Sequence, residues 1–190
     1  MLPETLTVGI VVIGILLANS SIIGVSIVLI FTQLITNGIG RILLNLQPGM
    51  AVASSSMSPC TMSLFETPLI SSMVVGEDGK HYWHSAAPSI YLSTIGFFTG
   101  WGVALQQIYK QEIDRGVLPK GGLIAAMSLS VIILLLAITF RISSGCESLI
   151  GAISGSALGI LFGFVGCVAL SEISNRKATN IWGIPLLRKK

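Results

Sequence analysis

Residues 151–163 read GAISGSALGILFG, with glycine at 151, 155, 159 and 163. In water each glycine inside a helix costs roughly 0.5–1 kcal/mol against alanine, so four on one stripe need a physical reason. Positions four apart advance about 400° around a helix, and the stripe therefore drifts only about 40° per step. It makes one smooth groove, flanked by Ala152, Ser154 and Ser156. Inside lipid, apolar side chains gain little from meeting one another, because acyl tails are equally apolar. Small residues that let two backbones approach closely matter more, and no water competes for the helix's own hydrogen bonds. Gly151, Gly155, Gly159 and Gly163 are therefore read as a helix-packing face within a membrane, with Gly96 and Gly100 of GFFTG as a second, shorter instance.

Composition supports that solvent. The chain is 52% hydrophobic and 10% charged, where soluble domains carry about 25% charged residues. Uncharged runs cover 5–40, 85–109, 121–140 and 148–171, and each reaches the roughly 20 residues that a ~30 Å hydrocarbon core requires. The expectation is an all-α polytopic membrane protein, one membrane domain with four transmembrane helices over about 8–36, 86–109, 121–140 and 148–171, the fourth a glycine zipper. The first run is too long for one simple crossing. Splitting it at Asn19-Ser20-Ser21 leaves an apolar first half of about 11 residues, too short to span, so one long, tilted helix is expected. Residues 8–17 resemble the apolar part of a signal peptide, but MLPETLT before them has no Lys or Arg, which argues against one.

Lysine and arginine set the orientation. With four spans, Lys110, Arg115, Lys120, Arg176, Lys177, Arg188, Lys189 and Lys190 share one side, and Arg41, Lys80 and Arg141 the other. Eight against three puts both termini on the cytoplasmic or equivalent side.

Residues 41–84 are expected to be an exposed irregular loop, since AVASSSMSPCTMSLFETP has no steady period of 2 or 3.6. His81 and His84 of HYWH are two ligands without a third, and zinc needs three or four. Tyr82 and Trp83 instead suit the aromatic belt at a membrane surface, as do Trp101 and Trp182 at other edges. The second helix is expected to run on through LQQIYKQEIDRG and stop at Gly116. No CxxC or Cys/His spacing marks Cys60, Cys146 and Cys167 as metal ligands, and reduced thiols are expected.

Ionisable residues within spans mark pumps and transporters, and the four runs hold none. HExxH, GxSxG and P-loop motifs are missing as well. No catalytic residue, cofactor, metal site or nucleic-acid contact is assigned. Arg141 and Glu147 frame FRISSGCES, a tight turn in which Ser143 or Ser144 could cap the fourth helix and Arg141 could pair with Glu147 or a lipid phosphate. The tail 172–190 ends in IWGIPLLRKK, an apolar patch and basic terminus suited to anionic lipid or to a partner groove.

FRISSGCESLIGAISGSALGILFGFVG, followed by NIWGIPLLR, resembles multi-pass inner-membrane, membrane-anchored minor capsid proteins of large icosahedral double-stranded DNA viruses. The likeness covers the last third of the chain. It implies a non-enzymatic structural protein that links a virion inner membrane to the capsid shell, with the bilayer and other subunits of a large assembly as partners. An accessory subunit of an organellar membrane complex, or a small channel or translocase component, are the alternatives.

Overall fold

The computed structural model describes residues 2–17, 19–54, 74–75, 81–110, 114 and 120–173. Trp182, the basic tail beyond Ile173 and most of the 55–80 segment lie outside the described residues.

The chain is predominantly helical: α1 (Leu2–Leu16), α2 (Ser20–Leu46), α3 (Ile90–Ile108), α4 (Lys120–Ser143) and α5 (Leu149–Ile173). The first apolar run is two helices, not the single long one expected. Asn19 leaves the helical region at φ −97°, ψ 103°, and its side-chain oxygen accepts from the Ser21 and Ile22 amides at 3.0 and 3.4 Å. That N-cap satisfies the orphan amides of α2. The Asn19 N–H in turn closes α1 onto the Gly14 carbonyl at 3.0 Å. A Cβ on Gly14 would stand 3.1–3.3 Å from Ile22 and Ile23, so glycine lets the first turn of α2 fold tightly over the end of α1. The two helices form an antiparallel hairpin.

Two segments, Ser21–Leu46 and Leu149–Ile173, are long and apolar enough to cross a membrane, and Leu6–Leu16 and Met127–Ser143 are shorter apolar helices. α2 continues past Arg41 to Leu46, carrying RILLNL in its last turns. α3 closes at Tyr109, whose N–H donates to Leu105 O at 3.0 Å; Lys110 and Asp114 beyond it are again helical.

The 41–84 segment, expected to be irregular, contains a small antiparallel sheet of β1 (Ala51–Ser54), β2 (Val74–Val75) and β3 (His81–His84) in the order β1-β3-β2. Ala51 pairs with His84 and Ser54 with His81, while Val74 pairs with Tyr82. The missing periodicity had a simple cause: strands of two to four residues are too short to register an alternation.

α3 is the central element. α5 lies along it over most of its length and meets α2 near its own C-terminal end, α4 packs mainly on α3, and α1 and α2 also touch it. The larger buried cluster joins Val25 and Leu29 of α2, Phe97, Trp101, Ala104 and Leu105 of α3, and Cys167 of α5, with Leu6 and Ile10 of α1 against it. Trp101, expected at a membrane edge, is fully buried there, its ring tilted against Phe97 at 5.4 Å. Leu92, Leu134 and Ala152 form a second cluster between α3, α4 and α5. Cys146 is disulfide-bonded rather than a reduced thiol, and Cys167 is free.

Candidate functional site

The glycine stripe lies against α3. An added Cβ on Gly151 would stand 2.6 Å from Ala87 O, and one on Gly155 2.5–2.6 Å from the Ser89 backbone. On Gly159 it would run into the backbone of Ser93, and on Gly163 into that of Phe97. The contact is reciprocal. A Cβ on Gly96 would be 2.6 Å from Ser156 O, and one on Gly100 would collide with the Ile160 backbone. Positions 89, 93 and 97 thus oppose 155, 159 and 163 in the same order, so α3 and α5 run parallel, each glycine seated on the other's main chain. Nothing larger than hydrogen fits, and the obstacle is backbone, which cannot rotate away.

Hydroxyls near this seam turn inward to their own helices. Ser93 and Thr94 donate to Ile90 O at 2.9 and 2.8 Å, and Ser156 donates to Ala152 O at 2.8 Å. Back-bonding of this kind satisfies a buried hydroxyl without a partner helix. Among the described residues, no group of three His, Cys, Asp or Glu side chains stands close enough to hold a metal ion.

A polar cluster closes one end of the seam. Ser89 caps α3, accepting from the Leu92 amide at 3.1 Å. Its hydroxyl donates to Glu147 Oε1 at 2.6 Å, and its amide donates to Gly151 O at 2.9 Å. Arg141, from the last turn of α4, donates to the same carboxylate oxygen through Nη2 at 2.8 Å and Nε at 3.1 Å. Its guanidinium lies over the Tyr91 ring, 4.2 Å from the centroid. Side chains in this pair are 14% and 10% exposed, so they interact in a low-dielectric setting, where a partner's loss is costly. The charges also match the helix dipoles: the carboxylate sits where α3 and α5 begin, and the guanidinium where α4 ends.

Gly145, at φ +68°, makes the turn between α4 and α5 possible. The Gly145 and Cys146 amides donate back to Ile142 O and Arg141 O at 3.0 Å, a glycine-terminated helix end. α5 is capped by Ser148 and not by Ser143 or Ser144: Ser148 Oγ accepts from the Gly151 amide at 2.9 Å and donates to Ser85 O.

Sequence reasoning missed a third feature. Gln33 of α2 is buried, and its Nε2 donates to Thr7 Oγ1 of α1 at 2.9 Å and Thr94 Oγ1 of α3 at 3.1 Å. One side chain therefore ties three helices together. The signal was present, since Gln33 is the one glutamine in the first apolar run, but its partners lie 26 and 61 positions away. Tyr82 is half-buried on β3, and Trp83 occupies the same strand. His84 is buried, with Nδ1 accepting from the Ala86 amide at 3.1 Å.

No protein-family model matches this sequence, and neither a curated protein nor a solved structure is similar to it.

Proposed function

We propose that this chain is a non-enzymatic structural membrane protein that packs within a large assembly, with α2, α3, α4 and α5 as the membrane-crossing helices. Three more specific claims belong to the same reading: the stripe on α5 acts as a glycine zipper, the basic tail faces the cytoplasmic side, and the setting is a virion inner membrane linked to a capsid shell. The observation that carries it is the backbone-on-backbone seam of α3 and α5, an arrangement suited to lipid, where close approach replaces the hydrophobic drive.

The outer surface supports the bilayer part. Leu161 and Val165 of α5 and Leu135, Leu136 and Phe140 of α4 are each more than half exposed. Soluble monomers rarely leave so continuous an apolar surface in water. At 25 and 24 residues, α5 and α4 are about 37 and 36 Å long, enough for a core of about 30 Å. The resemblance of the last third of the sequence to minor capsid proteins supplies the virion setting.

Cross-linking mass spectrometry on the protein in its native membrane, before detergent, tests the assignment. Cross-links from 41–84 or the basic tail to capsid proteins are expected. Cross-links to electron-transfer or import subunits would move the protein to an organellar complex. Ion or solute flux from reconstituted protein above a lipid-only control would replace the structural reading with a channel.

A further inference from the structure

The direction of each helix fixes which end of the bundle the chain begins at and which end α5 reaches. Gly166 of α5 faces Val28 of α2, and Gly24 of α2 faces Leu170 of α5, so these two helices are antiparallel. α1 folds back on α2 through the Asn19 cap, and therefore runs in the same direction as α3 and α5. The depth is fixed by Gln33, which places Thr7 and Thr94 at one level. Thr94 lies four residues into α3, about 6 Å from its start, and Leu2 lies five residues before Thr7, about 7.5 Å in the same direction. The chain thus begins at the end of the bundle that holds Ser89, Arg141 and Glu147. α5 ends at Ile173, at the other.

That same end carries Cys146, which is disulfide-bonded, in the α4–α5 turn. Cys167, eighteen residues beyond the start of α5 at Leu149 and about 27 Å from it along the helix, is free. Disulfides persist where the compartment is oxidising and are rare where thiols are kept reduced. The basic residues give the same polarity by separate physics: by sequence position Arg41, Lys80 and Arg141 belong to the Cys146 end, whereas Lys110, Arg115 and Lys120 lie between α3 and α4 and Arg176, Lys177, Arg188, Lys189 and Lys190 follow α5, three against eight. The count of basic residues is blind to the N-terminus, because MLPETLT has no Lys or Arg.

We propose that α1 is a fifth crossing beside the four of the functional reading, so that the two termini lie on opposite faces of the membrane, the N-terminus emerging beside the Arg141–Glu147 pair on an oxidising face and the basic tail on the reducing one. This replaces the expectation of two cytoplasmic termini, and it rests on the reading of the chain as membrane-spanning. A partner that meets the β1–β3 sheet on the oxidising face would then meet the N-terminus too.

The test uses the full chain in sealed membrane vesicles, tagged at the N-terminus in one version and the C-terminus in another. External protease should remove one tag and spare the other until detergent is added; loss or protection of both overturns the opposite-face arrangement. An impermeant maleimide, with its adducts mapped by mass spectrometry, should modify Cys146 only after reduction and from the N-terminal tag's side. Modification without reductant, or from the other side, overturns the oxidising-face assignment. Alkaline carbonate extraction separates the two levels of inference. A chain retained in the membrane but with both termini on one face refutes only this topology, whereas an extracted chain refutes the membrane reading and the topology with it.

Discussion

The glycines of α5 and those of the α1–α2 hairpin are one residue type in two unlike settings. On α5, Gly155, Gly159 and Gly163 press on the main chain of α3, and any Cβ there would meet backbone atoms that cannot move without moving the helix. On the hairpin, Gly9 and Gly38 have nothing within 4 Å of an added Cβ, and Gly24 faces the mobile tip of Leu170 at 2.9 Å. Glycine in an apolar helix is therefore no uniform signal. It is a packing requirement where it faces a backbone, a minor convenience where it faces a flexible side chain, and only an entropic cost where it faces open space. Regular four-residue spacing separates the first setting from the others, because only a periodic stripe can follow a neighbouring helix for several turns.

Substitution at Gly159 should break this contrast most severely if it is wrong. Gly159→Leu forces a side chain into the Ser93 backbone, and about 3 kcal/mol or more of stability should be lost. Graded-SDS unfolding in mixed micelles would measure it. Assembly with partners should fail while carbonate-resistant membrane insertion survives. Equal losses for Gly159→Ala and Gly38→Ala would erase the distinction between the two regions.

The polar end of the seam comes next. Glu147→Ala leaves the largely buried Arg141 guanidinium uncompensated and should cost about 3 kcal/mol. Pairing Arg141→Met with Glu147→Met should restore much of that loss, since an apolar pair of similar volume needs no desolvation of charge. Comparing both variants in one unfolding series would show whether the pair stabilises the helix ends or mainly specifies how they meet.

Gln33→Leu probes the hairpin's attachment. Two interhelical hydrogen bonds within a membrane bundle are together worth about 1 kcal/mol. Faster amide exchange confined to α1, with α3 and α5 unchanged, is the expected result. The smallest effects sharpen the comparison from the other side. Gly24→Ala should cost less than about 1 kcal/mol, because Leu170 can turn aside, and Gly38→Ala should be neutral or stabilising by up to about 1 kcal/mol.

Much of the helical framework was legible in the sequence because its cause is local. A run such as 148–171 without charge, ended by Glu147 and Glu172, needs no distant partner to become a helix. The break between α1 and the Asn19 cap was misread for an instructive reason. A half-length α1 is inadequate as an isolated span, but in the bundle it has α2, α3 and the cap of Asn19 to complete it. Trp101 was misread likewise. An aromatic near a membrane edge and one in a helical core have the same local sequence, and only its distance from Phe97, Val25 and Leu29 tells them apart.

The sequence alone determined the helical class, the positions of the charged ends and the stripe on α5, since each follows from residue type and from spacing within one helix turn or one apolar run. Only the tertiary structure decided what the stripe meets and that Ser89 shares the Glu147 carboxylate with Arg141. It also decided that Gln33 joins Thr7 to Thr94, that residues 51–54 pair with 81–84, and at which end of the bundle the chain begins. Those are contacts between positions tens of residues apart, and their free energy comes into being only when the helices are brought to a particular register and depth.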